Sequence, residues 1–196
     1  MSAIKLIPAS GGGSVSLAPP NSTSGADVTF TLPSTSQSFG KILQVVQTVK
    51  TDVASITAVH SSPADWGLSC SITPSSTSSK ILINCDMILG GTTMYGLYQY
   101  LLRGSTQIML ADAASNRPRT SKTINHYGGT ETYGSVNCTI CYLDSPNTTS
   151  STTYKVQGAV WGGSSTVYLN RNNVDVDGAE YDGRSTSTIT LMEVAA

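Results

Sequence analysis

The spacing of apolar residues is the strongest constraint on how this chain can fold. Short runs place an apolar side chain at every second position, and each run ends in a cluster of Ser, Gly, Pro or Asn. In Lys80 to Ile88 the apolar positions are Ile81, Ile83, Cys85 and Met87; Gly67 to Thr73 alternates in the same way and stops at Pro74-Ser75-Ser76. A period of two places alternate side chains on opposite faces of a strand, whereas a helix needs a period of 3.6. In Lys41 to Lys50 the positions Ile42, Val45, Val46 and Val49 fit the 3.6 period of a helix, but the β-branched content and the Ser/Thr surroundings favour strand. Tyr95 to Leu102 and Gln107 to Leu110 flank the turn residues Arg103-Gly104-Ser105 and predict a hairpin. Gly134 to Leu143, followed by the turn Asp144-Ser145-Pro146-Asn147, then Tyr154 to Trp161, Thr166 to Asn170 and Thr186 to Val194, complete a set of about eight strands. Strands in that number and rhythm predict an all-β chain, with residues 41–196 forming an antiparallel, jelly-roll-like β-sandwich.

Residues 1–40 read differently. Ser10-Gly11-Gly12-Gly13-Ser14 is a flexible tract, and Pro8, Pro19, Pro20 and Pro33 oppose helix. Two short alternating pieces remain, Ser14 to Leu17 with Val15 and Leu17, and Asp27 to Leu32 with Val28, Phe30 and Leu32 on one face. Two such pieces cannot bury an apolar face alone. These five residues are therefore the candidates for attachment or oligomerisation, with residues 1–40 as an attachment segment and 41–196 as a head.

Composition narrows the function classes. Lys plus Arg is 11 and Asp plus Glu is 12, for a net charge of −1, and only 12% of residues are charged, against about 25% ordinarily. Serine and threonine supply over a quarter of the chain. No clustered cations offer a nucleic-acid footprint. No apolar run reaches the length of a membrane-spanning helix, and the N-terminus lacks the apolar region of a signal peptide. That predicts synthesis in a reducing cytosol with free thiols.

Motifs with chemical potential are few. Cys138-x-x-Cys141 lies inside a strand, so its two thiols face opposite ways, Cys138 with Val136, Ile140 and Tyr142 and Cys141 with Asn137 and Thr139. Cys70 and Cys85 read as small hydrophobes. Asn173-Val174-Asp175-Val176-Asp177-Gly178 matches the first half of a calcium loop, but Arg184 stands where such a loop needs a bidentate Glu. Asp175 and Asp177, with Asp182, are therefore only weak metal candidates, and no cofactor is expected. His60 and His126 are the only histidines, and no nucleophile elbow accompanies them. A non-enzymatic protein is expected. The aromatics divide: Trp161 and Tyr100 read as core, while Trp66, Tyr127 and Tyr133, in loop-like surroundings, are candidates for interface or receptor contact.

Several segments carry a resemblance. Gly11 to Pro19 followed by Ala26 to Pro33 resembles the N-terminal repeat of fibre proteins from tailed bacteriophages of marine bacteria, of cyanophage type. Ile42 to Asp52, Gly67 to Ile83, Leu101 to Thr106, Leu143 to Pro146, Val167 to Arg171 and Arg184 to Glu193 are similar to the C-terminal domain of the same fibres. The resemblance implies a virion structural protein, assembled in the host cytoplasm and exposed on the particle. It further implies a homotrimer whose N-terminal segment joins other virion proteins of tail or capsid, and whose β domain meets host polysaccharide or protein. A capsid decoration or cement protein is the alternative, and neither reading involves nucleic acid or membrane insertion.

Overall fold

The computed structural model describes residues 4–6, 15–17, 41–91, 95–125, 133–163, 165–178, 180 and 182–196. The chain divides into two compact units, residues 1–37 and 38–196. In the first, β1 (Ile4–Leu6) pairs antiparallel with β2 (Val15–Leu17), with Ile4 opposite Leu17 and Leu6 opposite Val15. The alternating segment holding Val28, Phe30 and Leu32 lies outside the described residues.

The second unit is a sandwich of two antiparallel sheets. Its strands are β3 (Ile42–Lys50), β4 (Ala54–Ile56), β5 (Ala64–Ile72), β6 (Lys80–Gly91), β7 (Leu97–Arg103), β8 (Thr106–Ile108), β9 (Lys122–Ile124), β10 (Ser135–Asp144), β11 (Thr152–Val160), β12 (Val167–Leu169) and β13 (Ser187–Val194). The long β6 organises the larger sheet. Along one edge it pairs with β10 over nearly its whole length. Its other partners divide the strand, β13 taking residues 80–86 and β12 residues 89–91, with β3 beyond β13 and β4 beyond β12. The smaller sheet runs β5-β11-β7, and β7 is then shared between β8 at residues 101–103 and β9 at residues 97–99. No helix among the described residues is long and apolar enough to cross a membrane.

Alternation fills the space between the sheets. Ile81, Ile83, Cys85, Met87 and Leu89 of β6 are fully buried, as are Cys138 and Ile140 of β10 and Ile189 and Leu191 of β13. Facing them are Trp66, Leu68, Cys70 and Ile72 of β5 and Tyr154, Val156 and Val160 of β11. Cys141 points outward and is exposed, so the two thiols of Cys138-x-x-Cys141 do diverge. Burial pushes the Cys138 thiol up to about 11 and that of Cys85 higher still. Ile42–Lys50 is strand, because Val46 packs against the core while β13 supplies its ladder.

Trp66 brings a polar contact into the core. Trp66 Nε1 donates to Gln99 Oε1 at 2.6 Å. The indole fits because position 158 on β11 is glycine: a Cβ there would lie 2.5 Å from Trp66 Nε1 and 2.6 Å from Ile56 Cδ1. This corrects the expectation for Trp66. Pro63-Ala64-Asp65 suggests a loop, yet β5 starts at Ala64, and Trp66 is 1% exposed and offers no surface to a receptor.

Candidate functional site

Strand registers define two ends of the sandwich. At one end Lys80 is opposite Val194, Val194 is opposite Ile42, and Asp144 is opposite Ile81. Residue 41, through which the domain joins everything before it, is at this end, its carbonyl accepting from the Ala195 N–H at 2.8 Å. Arg103, the last residue of β7, reaches Asp144 here, at 3.2 and 3.0 Å to its two oxygens. At the other end Gly91 is opposite Val167, Val167 is opposite Ile56, and Leu97 is opposite Val160. At ~3.3 Å per residue, the length of β6 separates the two ends by about 35 Å.

The joining end is closed by satisfied polar groups. Tyr154 donates its hydroxyl to Asp144 Oδ2 at 2.7 Å, completing an Arg103–Asp144–Tyr154 network. Burial, reinforced by the hydrogen bond to Asp144, pushes the Tyr154 hydroxyl far above its ordinary range. Glu193, fully buried, accepts from Gln44 Nε2 at 2.6 Å and from the Ser75 backbone N–H and hydroxyl at 2.7 and 2.6 Å. Burial alone would raise its carboxyl, but the hydrogen bonds from Ser75, Gln44 and Ser79 prevail and bring it down to about 2.

The far end is open and aromatic. Trp161 begins a short 3-10 turn directly after β11 and is 62% exposed. This overturns its reading as core. Its backbone N–H donates to the Gly96 carbonyl at 2.8 Å, and the Gly96 N–H donates to Asn125 Oδ1 at 2.8 Å. Gly96 has φ +64°, and a Cβ on it would meet Trp161 Cβ at 2.5 Å, so only glycine lets the two segments approach and turn the indole outward. Tyr95 meets the indole edge-on, ring centroids 5.9 Å apart at 82°. Next to it, a parallel bridge between Val59 and Val160 and the Val160 N–H to Ala58 carbonyl bond at 2.8 Å bring His60 alongside β7. There His60 stands edge-on to Tyr98 at 6.1 Å.

A loop supplies the remaining wall. Residues 109–121 fold back over the outer face of β7, where Tyr98, Tyr100, Leu102, Leu110 and Ala159 form a second, smaller apolar cluster. Tyr100 is buried, but in this outer cluster and not in the core between the sheets where the sequence placed it. Arg119 Nε donates to the Ala111 carbonyl at 2.6 Å, and Ser121 Oγ accepts from the Leu101 N–H and donates to the Ile108 carbonyl. These bonds fix Ser115 to Pro118 beside the aromatics. His60, Tyr98, Ser115, Asn116, Arg117, Pro118 and Trp161 line a groove of about 440 Å³. It carries an exposed indole, a guanidinium, an amide and a hydroxyl, and no carboxylate among the described lining residues.

Of the sequence-predicted contact residues, Tyr133 is 53% exposed just ahead of β10 and is not among those lining the groove; Tyr127 lies outside the described residues, as does His126. Trp161 was recoverable in part from the glycines around it, but the close approach of Gly96 brings together residues 65 positions apart.

A second depression, about 680 Å³, is lined by Asp175, Val176, Asp177, Gly178, Glu180, Asp182 and Arg184. Its best metal candidate is already engaged. Asp175 accepts from Arg184 Nε at 2.8 Å and Nη2 at 2.6 Å, and Arg171 Nη1 lies 3.1 Å away. The bond from Arg184 holds its carboxyl below the usual range. Among the described residues no three His, Cys, Asp or Glu gather as a metal site.

The outer face of the larger sheet has its own pattern. Val45 is opposite Met192, Met192 opposite Leu82, and Leu82 opposite Leu143, so one apolar row crosses β3, β13, β6 and β10 at the joining end. Val45 and Leu143 are exposed. The following rows are polar, with Gln47 bonded to Thr190 and both Asn137 and Thr139 bonded to Asp86.

No family model matches this chain, and no curated protein matches it. Among solved structures, it is similar to infectious bursal disease virus Gx strain at 14% identity and a TM-score of 0.29, covering 78% of this chain and 38% of that one. The infectious bursal disease virus VP2 subviral particle gives 14% identity and a TM-score of 0.28, covering 78% and 37%. The Gt strain of that virus gives 14% identity and a TM-score of 0.29, covering 97% and 45%. The chain spans less than half the length of these chains, and at such scores the similarity carries no functional assignment.

Proposed function

We propose that this chain is a virion structural protein acting as a tail fibre or fibre-like adhesin. Its N-terminal segment joins the particle, and its β domain contacts the host surface. One observation carries the reading: residue 41 and the Trp161 groove occupy opposite ends of the sandwich. A domain tethered at one end presents the other outward, and here that other end holds the exposed Trp161 and Arg117. The role is binding rather than catalysis, because the buried titratable groups, Glu193, Asp144 and Tyr154, are engaged in hydrogen bonds that close the joining end. Three-fold association suits such a protein, since linked weak sites gain avidity by about 10²–10⁴ over one.

A second reading, a capsid decoration or cement protein without receptor binding, draws on the apolar row Val45–Met192–Leu82–Leu143, a surface suited to lateral packing in a shell. Purified particles that carry the chain separate the two. An adhesin is found at low copy number at the tail, and its isolated mass is three times the protomer's 20.4 kDa. A copy number near that of the capsid protein, with labelling over the shell, contradicts the adhesin reading.

A further inference from the structure

We infer that the groove lined by Trp161, Tyr98, His60, Asn116 and Arg117 binds an acidic saccharide, one whose sugar rings carry carboxylates. The inference rests on the reading of that end as the contact end and names the chemistry it takes. The groove, about 440 Å³, falls in the range of small-ligand sites, roughly 300–1,000 Å³. Trp161, 62% exposed, is part of its lining, its backbone held by the hydrogen bond to Gly96 and its ring in edge contact with Tyr95. An indole face, large and apolar with a polar N–H at its edge, packs on the C–H side of a pyranose ring. The amide of Asn116, the hydroxyl of Ser115 and the imidazole of His60 surround it with donors and acceptors for sugar hydroxyls.

Charge selects among saccharides. Arg117 is the one guanidinium lining the groove among the described residues, and no carboxylate lines it. The fork of a guanidinium matches a carboxylate in two parallel hydrogen bonds. Elsewhere in this domain Arg184 and the half-buried Lys155 pair with Asp175 and Asp65, while Lys80, Arg119 and Lys122, like Arg117, are exposed without an ion pair among the described residues, and of these Arg117 alone lines the groove. Arg117 has no ion pair among the described residues and is exposed to a ligand.

The two tryptophans provide the readout. Trp66 is buried and Trp161 is exposed, so a ligand in the groove shifts the indole N–H resonance of Trp161 and leaves that of Trp66 in place. The full chain is titrated with tetramers of galacturonate, guluronate and N-acetylneuraminate, each beside its carboxyl-reduced counterpart. The expected result is a Trp161 shift with at least one acidic tetramer. Its affinity falls at least tenfold for the carboxyl-reduced form and for Arg117→Gln, and is lost in Trp161→Ala with unchanged melting. Equal binding of an acidic tetramer and its reduced form overturns the inference. So does the absence of binding to any tetramer, and adsorption to host cells then judges the underlying reading. If Trp161→Ala abolishes adsorption, the contact end stands and only the ligand class fails. If Trp161→Ala adsorbs like the parent, the reading of this end fails as well.

Discussion

At the end of the sandwich where residue 41 joins, Tyr154, Arg103 and Asp144 form one hydrogen-bond network, and Glu193 is enclosed separately by Gln44 and Ser75. At the far end Trp161, Tyr95, His60 and Arg117 stand around an open groove. Both ends use aromatic rings and polar groups of similar kind, and the difference lies in how the backbone approaches them. In the first, β10 of the larger sheet and β7 of the smaller one finish at the same end, and Asp144 and Arg103 meet there as an ion pair. In the second, Trp161 follows the inward-facing Val160 and points outward, and Gly96 leaves room for its Cβ. Side-chain type sets what an end can do, and backbone geometry decides whether that capacity is turned inward for stability or outward for binding.

The two tryptophans break or sharpen this contrast most strongly. Trp66→Ala removes a fully buried indole and leaves Gln99 without its partner, and should cost about 3–5 kcal/mol in denaturant unfolding. Trp161→Ala should change stability by less than about 0.5 kcal/mol, as expected of an exposed position.

Acid tests the joining end next. The Glu193 carboxyl is lowered from 4.5 to about 2 in the folded protein. Its contribution is therefore complete above pH 4.5 and disappears as pH falls through about 2. With each unit equal to about 1.4 kcal/mol, the loss is on the order of 3 kcal/mol. Chemical denaturation between pH 5 and pH 2 should show this slope, and Glu193→Gln should flatten it.

Smaller effects complete the series. Tyr154→Phe leaves Asp144 with Arg103 but removes one buried hydrogen bond, for a loss of about 1–2 kcal/mol. Cys85→Val and Cys138→Val should each cost less than about 1.5 kcal/mol, since both thiols serve as small hydrophobes. With a maleimide on the native protein, Cys141 should label readily, whereas Cys85 and Cys138 should label only on unfolding.

Most of the sandwich was legible where a strand buries one face along several residues. The alternation of Ile81, Ile83, Cys85 and Met87 could satisfy only a half-buried strand, and the divergence of Cys138 and Cys141 followed from the same period. The three-residue strands β1, β4 and β9 were not legible, because a period of two cannot declare itself in so short a run. The apolar row from Val45 to Leu143 was also hidden, since strand order decides which residues become neighbours across a sheet. The tryptophans were exchanged for a related reason. Local context placed Trp66 in a loop and Trp161 in a strand, whereas Gly158 makes the internal space for one and Gly96 makes room for the other at the surface.

The most direct measurement of the central claim is the pair of indole N–H resonances during titration of the isotope-labelled chain with host surface polysaccharide. Displacement of the Trp161 signal, with the backbone signals of Gly96 and Arg117 moving alongside it and the Trp66 signal fixed, is the predicted result. Perturbations confined to the outer face around Val45 and Leu143, with Trp161 unmoved, would contradict it.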